Sequence, residues 1–229
     1  GVVEPSDGRY RRRRTAAPVM AAKGTQLALD LRHRVAMGRE DFLVSPSNAD
    51  AVAWIDRWPD WPGPALVIVG PPGSGKTHLG HVWRQQAGAR PYDPSLPATE
   101  QVNAPVFVDD ADRGDQDEEL FHLFNAAKTA GVSVLFVSRA SPAQWEGRLL
   151  DLKSRLAAAP NIRIQAPDTP LITAVMVKMF ADEQMDVGAE VLDYLVNRME
   201  RSFEAARTLV MKLNNASLAT RRGITIPLA

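Results

Sequence analysis

The feature that most constrains this chain is the stretch of residues 70–77, whose sequence is GPPGSGKT. An apolar run at 65–69 precedes it, and a segment with helical periodicity at 78–86 follows it. Strand, glycine-rich loop and helix is the context in which the pattern G-x-x-x-x-G-K-[ST] binds phosphate. The stretch therefore predicts a phosphate-binding loop between a buried strand and a helix.

The residue types in this loop suit a nucleotide. Gly73 and Gly75 have no side chain that would block a phosphate, so backbone N–H groups can surround it. Lys76 can reach the terminal phosphate oxygens, and the hydroxyl of Thr77 can ligate Mg²⁺. We predict that ADP or ATP, with Mg²⁺, is bound by Gly70, Pro72, Gly73, Ser74, Gly75, Lys76, Thr77 and His78.

Composition narrows the class of protein. With 229 residues, 45% of them hydrophobic, the chain is long enough for one good core and a small second unit. The formal net charge is zero, so overall charge gives no reason to expect nucleic-acid binding. The absence of cysteine excludes disulfides, thiolate catalysis and cysteine-ligated zinc. No apolar run suits a membrane span and no secretory pattern begins the chain, so we expect a cytoplasmic protein.

Polar side chains follow two further predicted strands. Asp109 and Asp110 end the apolar strand 105–110, where Asp109 would hold Mg²⁺ and Asp110 would position the attacking water. Carboxylates at a strand end are also common turn residues. Ser138 closes the strand 132–137 and is predicted either to sense the γ-phosphate or to cap the turn that follows.

Strands and helices alternate along residues 39–167, which predicts an α/β domain with a parallel sheet covered on both faces. Its other predicted segments are a short strand at 89–93, a loop at 94–104, a helix at 145–156 and a last core strand at 161–165. From 168 to 229 the pattern changes to three helical segments, 170–185, 189–198 and 202–220. We predict a small helical lid over the nucleotide edge of the sheet, from which Arg201 or Arg207 could reach a phosphate.

Arg155 lies near the end of the helix predicted at 145–156. There it suits the negative end of the helix dipole, which is one explanation for its presence. The other is an arginine finger that reaches the γ-phosphate on a neighbouring subunit, because guanidinium carries a fixed charge and a fork of donors. The residues alone leave both open.

Residues 1–38 have the composition of a flexible tail. The block 9–14 is strongly basic and is either a nucleic-acid arm or a solvated charge run. Residues 26–31, QLALDL, carry apolar side chains at alternate positions, which is typical of an extended docking peptide or of an edge strand. In the docking interpretation, a partner contacts Gln26, Leu27, Leu29 and Leu31.

Taken together, residues 42–220 resemble the AAA+ module of the DnaA family of bacterial replication initiators. The resemblance is carried by FLVSPSN at 42–48, GKTHL at 75–79, VFVDD at 106–110, ELFHLFN at 119–125 and LKSRL at 152–156. It implies an AAA+ P-loop domain followed by a helical lid. It also implies Asp109 and Asp110 as the acids for Mg²⁺ and water, and Arg155 as a trans arginine finger.

DnaA proteins continue beyond the lid into a DNA-binding helix-turn-helix domain, whereas this chain stops at Ala229. A DnaA-type module with a QLxL tail resembles the Hda-type regulators of the family. That resemblance implies tethering to the DNA polymerase III sliding clamp (beta subunit) through residues 26–31, and stimulated hydrolysis of DnaA-bound ATP, which inactivates DnaA. DnaA and the clamp would be the partners, with DNA contacted only through the clamp, no membrane contact, and homo-oligomers left open.

Two positions predict weak intrinsic ATP turnover. Arg139 stands where DnaA has an acidic residue after the sensing serine, and the lid run 203–206 lacks the arginine that faces the phosphates in DnaA. We therefore expect nucleotide to act as a structural ligand. Two other functions remain: a DNA-stimulated AAA+ ATPase such as a helicase loader, supported by the block 9–14, and a non-catalytic DnaA-related scaffold, against which Lys76 and Thr77 argue.

Overall fold

The computed structural model describes residues 42–145, 148–220 and 223–226. All of them belong to one compact unit, Ala36–Ala229. The tail predicted for residues 1–38, including its basic block and its docking peptide, lies outside the described residues. Within the described ranges, no helix is both long and apolar enough to cross a membrane.

Five strands build the central sheet: β1 (Ala65–Val69), β2 (Arg90–Pro91), β3 (Val106–Val108), β4 (Val134–Ser138) and β5 (Asn161–Arg163). All strand pairs are parallel, and the order across the sheet is β2-β3-β4-β1-β5. Helices lie between successive strands because parallel strands need crossover connections. These helices are α2 (Lys76–Ala87), α3 (Ala98–Gln101), α4 (Asp117–Ala130) and α5 (Leu150–Ala158), with α1 (Ala49–Asp56) before β1. The predicted α/β fold with a parallel sheet is confirmed.

Strand β1 shows how the sheet is buried on both faces. Ala65, Val67 and Val69 pack with side chains of α4 and α5, whereas Leu66 and Ile68 pack with side chains of α1 and α2. Successive side chains of a strand point to opposite faces, so a strand covered on both sides is apolar throughout. This is the physical origin of the uninterrupted apolar run before the phosphate loop.

The loops that follow β1, β3 and β4 meet at the carboxyl edge of the sheet, because the strands are parallel. After β1, the N–H of Gly70 donates to the carbonyl of Ser138 at 3.2 Å. After β3, the carboxylate of Asp112 accepts the N–H of Arg139 at 2.9 Å. These bonds hold the three loops together.

Three helices follow the sheet: α6 (Thr169–Asp182), α7 (Ala189–Val196) and α8 (Phe203–Thr220). They share a core of their own, in which Met176 and Phe180 are almost fully buried. Asp168 caps α6, since its carboxylate accepts the N–H of Leu171 at 2.9 Å. The three helical segments predicted for the lid are present.

The structure corrects several local predictions. The loop predicted at 94–104 contains the short helix α3, and the strand predicted at 89–93 has only two residues. The strand predicted at 161–165 is shorter and largely exposed, because β5 is an edge strand that pairs with β1 alone. The helix predicted from Trp145 begins at Leu150. Pro142–Gln144 forms a 3₁₀ turn instead, and the indole N–H of Trp145 donates to the carbonyl of Ala140 at 3.0 Å.

Candidate nucleotide site

The phosphate loop depends on three glycines. Gly73 has a φ of +68° and Gly75 a φ of +91°, a left-handed backbone that is unfavourable for a residue with a Cβ. At Gly70 a Cβ would lie 2.3 Å from the carbonyl oxygen of Ile164, so no side chain fits there. The glycine positions of the pattern are therefore required by the backbone as well as by the space that a ligand needs.

Lys76 is the first residue of α2, and Gly75 before it offers no capping side chain. The first N–H groups of the helix therefore direct partial positive charge at the loop, which favours an anion there. Lys76 is 7% exposed, and its ammonium donates to the carbonyl of Pro71, within the loop, at 2.7 Å. Burial lowers the pKa of Lys76, and the charge of Asp109 opposes this lowering.

Two further observations fit a bound nucleotide with magnesium. The hydroxyl of Ser74 is buried and has no hydrogen-bond partner among the described residues, so the loop holds a donor without an acceptor. The hydroxyl of Thr77 donates to the carboxylate of Asp109 at 3.2 Å, so the two predicted magnesium ligands lie together. Oxygen atoms of this kind are the ligands that Mg²⁺ takes in proteins. The residues of this site therefore fit a nucleotide with Mg²⁺.

The two acids after β3 have different surroundings. The carboxylate of Asp109 accepts the N–H of Asp110 at 3.0 Å, in addition to the hydroxyl of Thr77. Asp110 has a φ of +49°, which is uncommon for a residue with a side chain. Its carboxylate forms an ion pair with Arg113 at 2.8 Å. The carboxylate predicted to position water is thus engaged by a cation of its own loop.

Ser138 is fully buried at the end of β4, and its hydroxyl donates to the carbonyl of Ala140 at 2.8 Å. This is the turn-capping arrangement, one of the two interpretations of this serine. The exposed residue at the tip of the strand is Arg139. Its charge adds to the effect of burial in lowering the pKa of Lys76, so the two cations lie within electrostatic range of each other.

Two other predicted nucleotide ligands lie at the borders of the loop. The ring of His78 packs edge-on against Phe42, with the ring centroids 5.3 Å apart. This contact joins the phosphate-loop helix to the segment before α1. Pro72 is exposed, and together with residues of α8 it lines a cavity of about 480 Å³. The loop therefore borders α8 on its exposed side.

Helix α8 contacts the phosphate loop directly. The N–H of Phe203, its first residue, donates to the carbonyl of Gly73 at 2.9 Å. A Cβ added to Gly73 would lie 2.5 Å from the Cβ of Ser202, and a Cβ added to Gly75 would lie 3.0 Å from the ring of Phe203. The absence of side chains at both glycines therefore lets the lid approach the loop.

Sequence reasoning missed the lid residues that make this contact. It pointed to Arg201 and Arg207, and the structure leaves both of them exposed. The available signal was a serine before a helix, because Ser202 caps α8 by accepting the N–H of Ala205 at 3.1 Å. That signal predicts the start of the helix and not its distance from the loop.

Arg155 lies in the last turn of α5. Its guanidinium carbon is 5.0 Å from the ring centroid of Phe121 and 5.9 Å from that of Phe124, and both rings belong to α4. The residue is half-buried, and with Pro62 and Pro64 it lines an open cavity of about 480 Å³. The rings therefore hold the guanidinium without enclosing it in the core.

Arg155 and the phosphate loop lie near opposite ends of the strands of the sheet. The cavity beside Arg155 is lined by Ala65, the first residue of β1, while the loop follows Val69, its last residue. A strand of five residues spans roughly 16 Å. Arg155 therefore lies near the other end of β1 from the nucleotide site of its own chain.

Comparisons with known proteins agree with this architecture. Residues 173–229 match the family model of the Hda lid domain. Domain III of the replication initiation protein DnaA from Thermotoga maritima is similar in structure, with a TM-score of 0.72 and 20% sequence identity. The match covers 84% of this chain and 93% of that domain.

Two other solved structures are similar at lower scores. AMPPCP-bound DnaA from Aquifex aeolicus has a TM-score of 0.60 and 18% identity, over 78% of this chain and 71% of that chain. RuvB, a Holliday junction branch migration motor from Thermotoga maritima, has a TM-score of 0.57 and 14% identity, over 72% of this chain and 59% of that chain. At these identities the structures show the fold, and they confirm the predicted AAA+ architecture.

Proposed function

We propose that this chain, an Hda-like and DnaA-related AAA+ protein, binds ADP or ATP with Mg²⁺ and stimulates the hydrolysis of ATP bound to DnaA. One observation carries the proposal: the phosphate loop and Arg155 lie near opposite ends of the strands of one sheet. The chain can therefore hold one nucleotide while it offers an arginine to a second nucleotide on another protein. The Hda-type lid supports DnaA as that protein.

The surroundings of Arg155 suit an arginine finger. Phe121 and Phe124 restrict the side chain, so less conformational entropy is lost when the guanidinium meets a phosphate. The open cavity leaves the side chain accessible to a partner. Beside ATP on DnaA, the guanidinium would offset the negative charge that develops on the transferred phosphoryl group.

In this proposal the nucleotide of the chain itself is a structural ligand. The phosphate loop and Lys76 bind the phosphates, and Thr77 and Asp109 hold the metal, which neutralises phosphate charge when it is bound. Asp110 pairs with Arg113 through one carboxylate oxygen, and this pairing competes with the activation of water. We therefore expect slow intrinsic hydrolysis.

Attachment to the sliding clamp through residues 26–31, called the tether below, is the part of the proposal that depends on sequence alone. Gln26, Leu27, Leu29 and Leu31 offer one hydrogen-bonding amide and three apolar anchors, as an extended docking peptide does. We propose that they bind the sliding clamp, so that the protein contacts DNA only through the clamp. Tethering raises the local concentration of Arg155 near DnaA without any new contact.

The proposed function is tested by single-turnover hydrolysis of ATP prebound to DnaA, with the clamp loaded on DNA. We expect the wild type to accelerate hydrolysis. We expect the double variant Gln26→Ala, Leu27→Ala to accelerate it about 10²-fold less at limiting concentration, because the local concentration is lost while Arg155 is intact.

Omitting the clamp provides the control for this experiment. Wild type and double variant should then give equal rates, since the tether has no partner. A double variant that matches the wild type with clamp present would refute the tether. A wild type that does not accelerate hydrolysis at all would refute the proposed function.

Lys76→Ala tests the nucleotide site. We expect ADP to bind roughly 10- to 100-fold more weakly, because a hydrogen bond to a charged group contributes about 1.5–3 kcal/mol. Isothermal titration calorimetry measures the affinity. Lys128→Ala is the control, since it also removes an ammonium group, but an exposed one in the last turn of α4. Equal losses in both variants would contradict the assignment of Lys76.

A further inference from the structure

A buried ion pair joins the start of α4 to the segment before α5. The side chain of Arg148 is 8% exposed and that of Asp117 is 14% exposed, and Nε of Arg148 donates to Asp117 at 2.5 Å. Burial by itself would raise the pKa of Asp117. Hydrogen bonds from Arg148 and from the N–H of Leu149, together with the charge of Arg148, outweigh burial and lower that pKa. The carboxylate of Asp117 is therefore ionised at neutral pH.

Each partner of this pair also contacts neighbouring chain segments. Arg148 donates to the carbonyl of Ala111 at 3.2 Å, and its guanidinium carbon lies 4.6 Å from the ring centroid of Trp145. The second carboxylate oxygen of Asp117 accepts the N–H of Leu149 at 2.8 Å. These five residues are called the Arg148 clasp below.

The clasp lies between the two functional regions of the chain. Ala111 directly follows Asp110, and its N–H is fixed to the sheet by the carbonyl of Val137 at 2.8 Å. Leu149 is the residue before α5, the helix that carries Arg155. A displacement of the acids after β3 therefore reaches α5 through one buried side chain.

The chemistry of the clasp requires arginine. Its planar guanidinium contacts the Asp117 carboxylate, the Ala111 carbonyl and the Trp145 ring at once. A lysine ammonium keeps the charge but has a single donor centre and no planar face to stack on a ring. Because separating a largely buried ion pair is unfavourable, the clasp ties these segments to one another.

The geometry points to Arg148 as a positioning residue that couples occupancy of the phosphate loop to the placement of α5 and of Arg155. This inference rests on the proposed function and adds to it a route of regulation. Nucleotide with metal changes the charge balance at Asp109, and the loop that begins there ends in the clasp. The ligand can shift α5 through this contact, which the loop and the helix share.

Amide hydrogen exchange of the full chain tests this coupling without any reaction. We expect saturating ADP with Mg²⁺ to slow exchange in α5 of the wild type, and we expect Arg148→Lys to lose this response. Arg198→Lys is the matched control, because the guanidinium carbon of Arg198 lies 3.9 Å from the ring centroid of Tyr194 and the side chain donates to a main-chain carbonyl, but it does so just after the end of α7. Asp117→Asn breaks the same pair from its other side and replaces Arg148→Lys if that variant does not fold.

Two outcomes of the exchange experiment overturn the inference: a wild type whose α5 does not respond to ADP, and a response that survives in Arg148→Lys or Asp117→Asn. In the DnaA hydrolysis assay, we expect ADP-loaded Arg148→Lys to stimulate at least about fivefold less than wild type. If the two proteins stimulate hydrolysis equally, only the proposed coupling role of the clasp is overturned. If the wild type does not stimulate hydrolysis, the proposed function is overturned. The hydrogen-exchange result then decides by itself whether the clasp couples the phosphate loop to α5.

Discussion

Arg155→Ala is expected to lower the stimulated hydrolysis of DnaA-bound ATP by about 10³-fold, while the affinity of the variant for ADP stays within about twofold of wild type. The separation of effects follows from the fold, because Arg155 lies beside the start of β1 and the phosphate loop follows its end. Removing the guanidinium leaves the charge on the transferred phosphoryl group without its partner. The measurement is single-turnover hydrolysis of ATP prebound to DnaA on clamp-loaded DNA.

Two controls make this result specific. Arg155→Lys keeps the charge but loses the planar fork, so it should recover only a small part of the rate. Arg198→Ala removes an arginine that also stacks on an aromatic ring, at 3.9 Å from Tyr194, and it should stimulate as wild type does. If Arg155→Ala and wild type stimulate equally, Arg155 is not the finger, and its stacking on Phe121 and Phe124 is purely structural.

The parts of the site that sequence predicted well follow from a short motif or from the geometry of a parallel sheet. The phosphate loop was predictable because the spacing of Gly73, Gly75 and Lys76 is fixed by the backbone of one short segment. Asp109 was predictable because the carboxyl ends of all strands in a parallel sheet lie on the same side, and its carboxylate does lie 3.2 Å from the hydroxyl of Thr77. The roles of these residues in binding stay predictions.

The features that sequence did not predict join distant segments. The clasp pairs Arg148 with Asp117, which lie 31 residues apart, and no sequence pattern links the two. The approach of Ser202 to Gly73 depends on how the lid packs, which no local periodicity encodes. The start of α5 was placed too early, because Trp145 has the apolar character of a helix face but packs over a 3₁₀ turn.

Ser138 and Arg139 show a further limit of pattern reasoning. The position at the tip of β4 was predicted correctly, but a position does not determine where a hydroxyl points. Ser138 bonds the carbonyl of Ala140, and the side chain that remains exposed at the tip is Arg139. The charge that the end of β4 adds here is therefore that of Arg139, beside the carboxylates of Asp109, Asp110 and Asp112.

Gly73→Ala is expected to destabilise the protein by roughly 2–4 kcal/mol and to weaken ADP binding with it. An alanine at a φ of +68° loses about 1 kcal/mol to backbone strain. Its Cβ would also lie 2.5 Å from the Cβ of Ser202, and such overpacking typically costs 1–3 kcal/mol. Since the same contact carries the bond from the N–H of Phe203 to Gly73, relieving the clash moves α8 away from the loop.

Gly131→Ala separates the two contributions to the loss of stability, backbone strain and the clash with Ser202. Gly131 has the same φ of +68°, but a Cβ there meets nothing within 4 Å, so this variant reports backbone strain alone. Adding Ser202→Gly to Gly73→Ala removes the opposing Cβ and should return its stability to within about 0.5 kcal/mol of Gly131→Ala, because glycine is a nearly adequate cap for α8. Urea unfolding and ADP titration measure both effects. If Gly73→Ala and Gly131→Ala lose the same stability, the lid does not rest on the phosphate loop in solution.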